Sequence, residues 1–274
     1  SRFSTLVTAL TTLTPSTDFV SVLKGTGPYT VFAPTDNAFD ALPAIPSDEN
    51  VLSQILLNHV IDGTAYSAGD LDGATGYKNT MATTPGGENL SIYYDGIDGV
   101  AFNGISNVAI ADVVVSNGII HAVDAVITLP TIGTFADSNP ALTLLVEALE
   151  YADTGMPTVP YMDTVSDSAA GPYTVFAPTN DAFGNLLTDL GQGGLTDIPT
   201  ETVDTVLLLH IVGGNIQSNG LPNGDISTAG GGIITADNTQ YTLSNANGTS
   251  NIITTLVDIQ GINGVVHVID RVIR

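Results

Sequence analysis

Cysteine is absent from this chain of 274 residues. Its absence excludes disulfides, thiolate metal sites and cysteine nucleophiles together. The stability of the folded chain must therefore come from packing, and the 43% of residues that are hydrophobic are enough for two cores. The sequence also lacks any run of about 18 apolar residues, so we expect no membrane-spanning helix in it.

Basic residues are scarce, since Lys and Arg number 5 against 28 Asp and Glu, for a net charge of −23. Such a charge repels nucleic-acid phosphates and anionic lipid headgroups, so we expect neither nucleic acid nor membrane insertion. It favours solubility, cations and basic partners. The acidic residues are spread along the chain without a run of five like charges, which indicates a solvated acidic surface instead of a binding tail.

Catalytic signatures are missing as well. The sequence contains no Gly-x-Ser-x-Gly elbow, phosphate loop, His-Glu-x-x-His motif or dinucleotide fingerprint. We therefore predict a protein that is not an enzyme and that holds no cofactor and no metal. Residues 70–73 and 95–98 each contain two aspartates but no complete EF-hand loop, which favours solvated turns over calcium sites.

Two sequence boxes occur twice, in the same order. Residues 27–39 (GPYTVFAPTDNAF) return at 171–183 as GPYTVFAPTNDAF, an offset of 171 − 27 = 144. Residues 117–127 (NGIIHAVDAVI) return at 263–273 as NGVVHVIDRVI, an offset of 263 − 117 = 146. Spacings this large predict two copies of one domain, at residues 1–129 and 140–274, joined by a linker at 130–139.

Both boxes have an architectural pattern. Residues 29–33 are β-branched and aromatic, which predicts a strand, and Pro34 ends it. Thr35 then stands where a helix N-cap belongs, as does Thr179 in the second copy. In the other box, residues 119–126 are largely apolar at both alternating sets of positions, which predicts a strand buried on both faces.

The remaining elements are predicted from periodicity. Apolar residues at helical spacing predict helices from about residue 48 to 61 and from 200 to 212. Residues 108–115 and 252–259 have the composition of strands. The glycine- and aspartate-rich stretches at 62–87 and 213–238 predict turns between short strands.

The chain has four histidines, and they occupy equivalent places in the two copies. His59 and His210 fall on the apolar side of a predicted helix, and His121 and His267 fall in the last predicted strand. We favour buried histidines that bond backbone groups over ligands or general bases. His121 and Asp124 are three residues apart on a strand, so they point to opposite faces and form no dyad.

The succession TVFAPT-x-x-AF and NG-[IV]-[IV]-H-x-[IV]-D-x-V resembles the paired signature of the fasciclin domain, and it is present in both copies. The resemblance implies an α+β fold in two tandem copies, each a wedge of two small β-sheets with helices packed on one edge. It implies a secreted or cell-surface-anchored protein of cell adhesion or the extracellular matrix, without catalytic activity. Its partners would be surface or matrix proteins, polysaccharide, or further copies of the same chain.

The resemblance also suggests binding residues. In some animal members, an Asp-Ile pair before the last strand and a Tyr-His pair on a helix are implicated in integrin binding. The positions that match these motifs here are Asp258, Ile259, Asp112, Val113, His59 and His210. The residue before each helical histidine is Asn58 or Leu209 instead of tyrosine. We therefore favour a core role for Ile259 and His210.

Two other functions fit the same sequence. The first is a carbohydrate-binding or carbohydrate-active protein on the same scaffold, because the acidic turns supply carboxylates. Such chemistry needs two carboxylates at a defined separation, and sequence positions do not give that distance. The other is a structural spacer within a longer surface protein. The adhesion module is the function we favour, because both boxes are complete in both copies and no catalytic motif accompanies them.

Overall fold

The computed structural model describes residues 2–14 and 17–274. The chain divides into two compact units, Ser1–Pro130 and Thr131–Arg274. Most of the segment that we predict to be a linker, residues 130–139, lies in the second unit. It contains a helix there, at Ile132–Ser138, because Thr131 caps the first turn and the helix buries Ile132 and Phe135.

The first unit contains short helices and one sheet. The helices are α1 (Ser4–Thr8), which continues into a π-helical turn at Ala9–Leu13, α2 (Phe19–Leu23), α3 (Asp36–Asp40), α4 (Glu49–Leu57) and α5 (Ala68–Leu71). The strands are β1 (Tyr29–Pro34), β2 (Val60–Asp62), β3 (Thr75–Thr83), β4 (Asn89–Asp95), β5 (Ala101–Phe102), β6 (Ser106–Val115) and β7 (Gly118–Val123). They form a seven-stranded sheet in the order β2-β1-β7-β6-β5-β4-β3.

The second unit repeats this plan with two separate sheets. Its helices are α6 (Ile132–Ser138), α7 (Thr143–Asp153), α8 (Tyr161–Ser166), α9 (Asn180–Leu190) and α10 (Thr200–Leu208), with 3-10 turns at Pro140–Leu142, Leu195–Asp197 and Ser218–Gly220. Its strands are β8 (Tyr173–Pro178), β9 (Ile211–Gly213), β10 (Gly224–Ser227), β11 (Ile233–Asp237), β12 (Thr242–Asn245), β13 (Gly248–Asn251), β14 (Ile259–Gly261) and β15 (Gly264–Ile269). The sheet orders are β10-β11-β12-β13 and β14-β15-β8-β9.

The two sequence boxes lie side by side in each unit. β1 pairs in parallel with β7, and β8 pairs in parallel with β15. Thr35 and Thr179 accept hydrogen bonds from the backbone N–H of Ala38 and Ala182, as the predicted caps require. The Asn-Gly pair at the start of β7 admits no larger residue at its glycine, since a Cβ on Gly118 would lie 2.1 Å from the Tyr29 carbonyl oxygen.

Both units therefore have the predicted α+β fold, and each has a core under its parallel strand pair. In the first, Phe32 packs with Ile92 and Phe102. In the second, Phe176 packs with Ile234 and other apolar residues. The two small sheets expected in each copy are separate in the second unit. In the first unit β6 joins them, because its ten residues pair with β7 and β5 and absorb two register shifts.

Three predicted elements need correction. The predicted helices 48–61 and 200–212 end at Leu57 and Leu208, because the β-branched residues that follow form β2 and β9 and pair with the first strand of each unit. The predicted strand 252–259 is wrong. Residues 252–258 contain a turn, and the ladder resumes only at β14.

Candidate functional site

His59 connects the end of α4 to the segment that follows β7. It lies just after the helix, where its Nδ1 donates to the Ile55 carbonyl at 2.7 Å. Its Nε2 accepts the backbone N–H of Ile127 at 2.9 Å. Both ring nitrogens are therefore used by backbone groups, as the sequence predicts. We call this arrangement the histidine bridge.

His210 forms the same histidine bridge in the second unit. Its Nδ1 donates to the Val206 carbonyl at 2.8 Å, and its Nε2 accepts the N–H of Ile273 at 2.9 Å. Burial lowers the pKa of both His59 and His210 to about 4, because a charged ring would be desolvated there. Both rings are therefore neutral at pH 7, and neither has a free nitrogen for a ligand.

His267 has its own pair of backbone partners. Its Nε2 donates to the Ile216 carbonyl at 2.9 Å, and its Nδ1 accepts the N–H of Asp258 at 3.3 Å. The Asp258 carboxylate lies 3.9 Å from the same Nδ1. Burial lowers the pKa of His267, and the Ile216 carbonyl and the Asp258 charge oppose that shift. The ring serves to hold the backbone at Asp258.

The first unit contains the equivalent contact. His121 donates from Nε2 to the Tyr66 carbonyl at 2.9 Å and accepts the Asp112 N–H at Nδ1, at 3.3 Å. Asp112 and Asp258 have φ angles of 59° and 56°, in the left-handed region that Asp tolerates better than most residues. The pairing of His121 with Asp112 was missed from sequence, because a residue with positive φ inside a bulge produces no periodic pattern in the sequence.

The two carboxylates are also used internally. Asp258 accepts the Ser218 N–H and the Ser218 hydroxyl, both at 2.6 Å. Asp112 accepts the N–H of Ala68 at 2.8 Å, at the start of α5. Each carboxylate thereby holds the start of a neighbouring helical segment, α5 in the first unit and the 3-10 turn at Ser218–Gly220 in the second, which is a structural role.

The six residues predicted to bind a partner fall into two groups by exposure. His59, His210 and Ile259 are buried, with 3%, 2% and 2% of their surface exposed, which agrees with the core role that the sequence favours for His210 and Ile259.

Asp112 and Val113 are exposed, and Asp258 is partly so. Asp112 and Val113 are adjacent at a bulge of β6, whereas the ring of His59 bonds Ile55 and Ile127.

The aspartates of the second box also bond backbone groups. Asp124 accepts the backbone N–H and the side-chain amide of Asn107, and Asp270 does the same for Asn251. These bonds attach the residue after the last strand to β6 in the first unit and to β13 in the second, as expected for a residue that faces away from the histidine.

Over residues 2–14 and 17–274, no group of three or more His, Asp or Glu side chains is placed to hold a metal ion. In the same part of the chain, the longest helices, such as α7 and α9, have 11 residues, whereas a bilayer crossing takes about 20. The candidate site therefore consists of buried histidines and of carboxylates that hold the backbone beneath an acidic surface.

These observations define the class of protein: it consists of two copies of an α+β unit, and each copy contains a histidine bridge. The sequence profile described as "Fasciclin domain" matches residues 1–130 and 141–274. The chain thus belongs to the fasciclin domain family. Family membership also confirms the prediction that it is not an enzyme, since fasciclin domains are modules of adhesion and surface proteins.

Individual relatives are similar over parts of the chain. Protein sll1483 of Synechocystis sp. is 36% identical over 140 residues, which are 47% of this chain and 68% of that protein. Cell surface glycolipoprotein MPT83 of Mycobacterium tuberculosis is 49% identical over 76 residues, which are 26% of this chain and 34% of that protein.

A solved structure shows the same fold. It is a FAS1 domain pair from the insect cell adhesion molecule fasciclin I, and the two chains superpose with a TM-score of 0.53. The match covers 93% of this chain and 91% of that chain at 16% sequence identity. At that identity the likeness concerns the fold.

Proposed function

We propose that the protein is an extracellular adhesion module that acts at a cell surface or in a matrix. The observation that supports this most strongly is the internal use of its reactive groups. All four histidines bond backbone atoms, and Asp112 and Asp258 hold the starts of neighbouring helical segments. Any partner is therefore held by the shape and charge of the surface, and the names of the similar glycolipoprotein and adhesion molecule support a surface location.

The charge of the chain suggests the chemistry of the partner. A net charge of −23 attracts proteins that carry basic patches, and the exposed aspartates Asp62, Asp72 and Asp98 contribute to it in the first unit. Asp112 remains a predicted binding residue that a partner can reach without rearrangement of the unit. Two copies in one chain also raise avidity when both engage the same surface.

A binding assay with the full labelled chain tests the proposal. We expect binding to cell surfaces or immobilised matrix proteins that weakens as salt rises from about 50 mM to about 500 mM, because screening shortens the reach of exposed charges.

A triple Asp→Asn variant at positions 62, 72 and 98 should bind more weakly, and its thermal unfolding should match that of the parent. Binding to neutral polysaccharide alone, unaffected by salt or by these substitutions, would contradict the proposal and favour a lectin.

A further inference from the structure

One side of the sheet in the first unit exposes a group of apolar residues on β6. They are Ile110, Val113 and Val115, with 40%, 46% and 39% of their surface exposed. Their partners across the ladder are Ala122, Ile120 and Gly118. Directly opposed residues share a face, and these partners are alternate residues of β7, so the three side chains lie on the same side of the sheet. We call this group the Val113 patch.

The equivalent surface of the second unit is covered. Ile259 corresponds to Val113 and pairs with Val266, and each is only 2% exposed. Helix α6 packs against β14 and β15 and buries Ile132, Phe135 and Ala136. The cluster around Phe176 lies on the opposite side of this sheet, the side of His267.

A hydrogen bond fixes the start of α6 at this place. The side-chain amide of Asn263 donates to the carbonyls of Val165 and Asp167, and its Oδ1 accepts the N–H of Ile132 at 2.9 Å.

Asn117 is the equivalent residue of the first unit, and its amide likewise donates to two carbonyls, those of Leu23 and Gly25. Its Oδ1 receives no donor from the residues that the structure describes. The first unit therefore retains the acceptor for a helix N-terminus as well as the apolar surface.

We propose that Asn117 and the Val113 patch together form a docking site for a short helix with the chemistry of α6, contributed by a polypeptide segment outside residues 1–274. That chemistry is a hydroxyl N-cap, a free N–H on the first helical residue, and apolar side chains at the first, fourth and fifth positions. Glycine suits the second position, because a Cβ on Gly133 would lie 3.1 Å from the Val165 carbonyl oxygen.

A second copy of the chain is a poorer occupant of this site. Stacking one Val113 patch on another would cover apolar surface, but it would supply no N–H to the Oδ1 of Asn117. A helix N-terminus supplies both, since its first N–H groups have no partner within the helix. The interface between α6 and β14–β15 shows that this combination fits the repeat.

Because the chain lacks cysteine, labelling of a single introduced thiol measures whether the Val113 patch is covered. Val113→Cys and Val114→Cys each introduce the only thiol of the chain. Val114 is 77% exposed and pairs with Ile119, so it lies on the opposite side of the same strand. A docked helix covers Cys at 113 and leaves Cys at 114 open, which makes the second variant a matched control.

The helix can be supplied by extending the full chain. Thr5 N–H bonds Oδ1 of Asp36, and Leu144 N–H bonds Oδ1 of Asn180. These equivalent bonds align the two units at an offset of 144 − 5 = 139. A copy of residues 131–139 placed directly before Ser1 therefore has the spacing that α6 has in the second unit.

We expect this extension to slow thiol labelling at position 113 by about 10-fold, which corresponds to a site about 90% occupied, and to leave position 114 unchanged. The control extension has aspartate in place of the copied Ile132 and Phe135, and it should give no protection. Equal labelling at position 113 with both extensions would overturn the proposal. So would a dimer of the unextended chain that dissociates on Val113→Asp, because the occupant would then be a second copy.

Discussion

One segment in the last third of each unit begins with Ser-Asn and ends with Asn-Gly, at 106–118 in the first and 250–264 in the second. The offset between the two copies is 250 − 106 = 144 at the first end and 264 − 118 = 146 at the second, so the segment of the second unit is two residues longer. In the first unit the segment is the single bulged strand β6, whereas in the second a turn separates β13 from β14. Both keep a left-handed aspartate bonded to the histidine of the last strand. The contact between aspartate and histidine is thus the same in both units, whereas the strand is continuous only in the first.

Burial differs between the units at matched positions. Val113 is 46% exposed, and its counterpart Ile259 is 2% exposed because the second unit has α6 over that face. Equivalent residues of a repeat consequently have different energetic roles, which direct measurements can separate.

The largest expected contrast is between Ile259→Asp and Val113→Asp. A carboxylate at 259 would be buried without a partner, so we expect the second unit to lose about 4 kcal/mol or more. At 113 it would be solvated, and the change should stay within about 0.5 kcal/mol. Hydrogen exchange of peptides from β15 and β7, measured by mass spectrometry in increasing urea, reports each unit separately. Equal damage in both would show that the Val113 patch is covered in solution.

The histidine bridges should make both units sensitive to acid. The pKa of His59 and of His210 is about 4 when folded, against 6.5 in the unfolded chain. The unfolded chain binds more protons between these values, so the stability present above pH 6.5 falls as the pH falls toward 4.

Each buried ring accounts for roughly 3 kcal/mol of that loss. Urea midpoints measured from pH 7.5 to 4.5 check this. His210→Gln should flatten the pH dependence of the second unit and leave that of the first. If the urea midpoint of the second unit depended on pH as steeply in His210→Gln as in the parent, His210 would not be the source of the acid sensitivity.

The smallest contrast concerns the two left-handed aspartates. Asp258→Ala removes two bonds to Ser218, and Asp112→Ala removes one bond to Ala68. Both force alanine into a positive φ, so we expect Asp258→Ala to cost about 1 kcal/mol more than Asp112→Ala. Chemical denaturation measures the difference, and the glycine variants, which tolerate the backbone angle, should preserve it. Equal losses would mean that the Ser218 bonds do not persist in solution.

The parts of the fold that depend on interactions between residues close together in the sequence could be predicted from the sequence. The strand before Pro34, the cap at Thr35 and its copy at Thr179 follow from residue types that act on adjacent backbone. The core role of His210 followed from its position in an apolar pattern. The ends of α4 and α10 could not be placed in this way, because the residues after them are helical in spacing and become strands only through pairing with β1 and β8.

The contacts around the aspartates depend on tertiary structure. His121 accepts from Asp112, nine residues earlier, and Asp258 bonds Ser218, forty residues earlier. No periodicity connects such pairs. The exposure of Val113 could not be predicted either, since Val114 and Val115 follow it whereas the buried Ile259 is followed by Gln260 and Gly261. The covering helix α6, and not the local sequence, accounts for the difference in burial.

The parallel pairing of β1 with β7 and of β8 with β15 has a kinetic consequence. Partners in these ladders are far apart in sequence, by 118 − 29 = 89 residues in the first unit and 264 − 173 = 91 in the second. During synthesis each sheet lacks one of its inner strands until the final residues of its unit have emerged from the ribosome. Contacts between such distant segments slow folding, so each unit remains incomplete for nearly the whole time of its own translation.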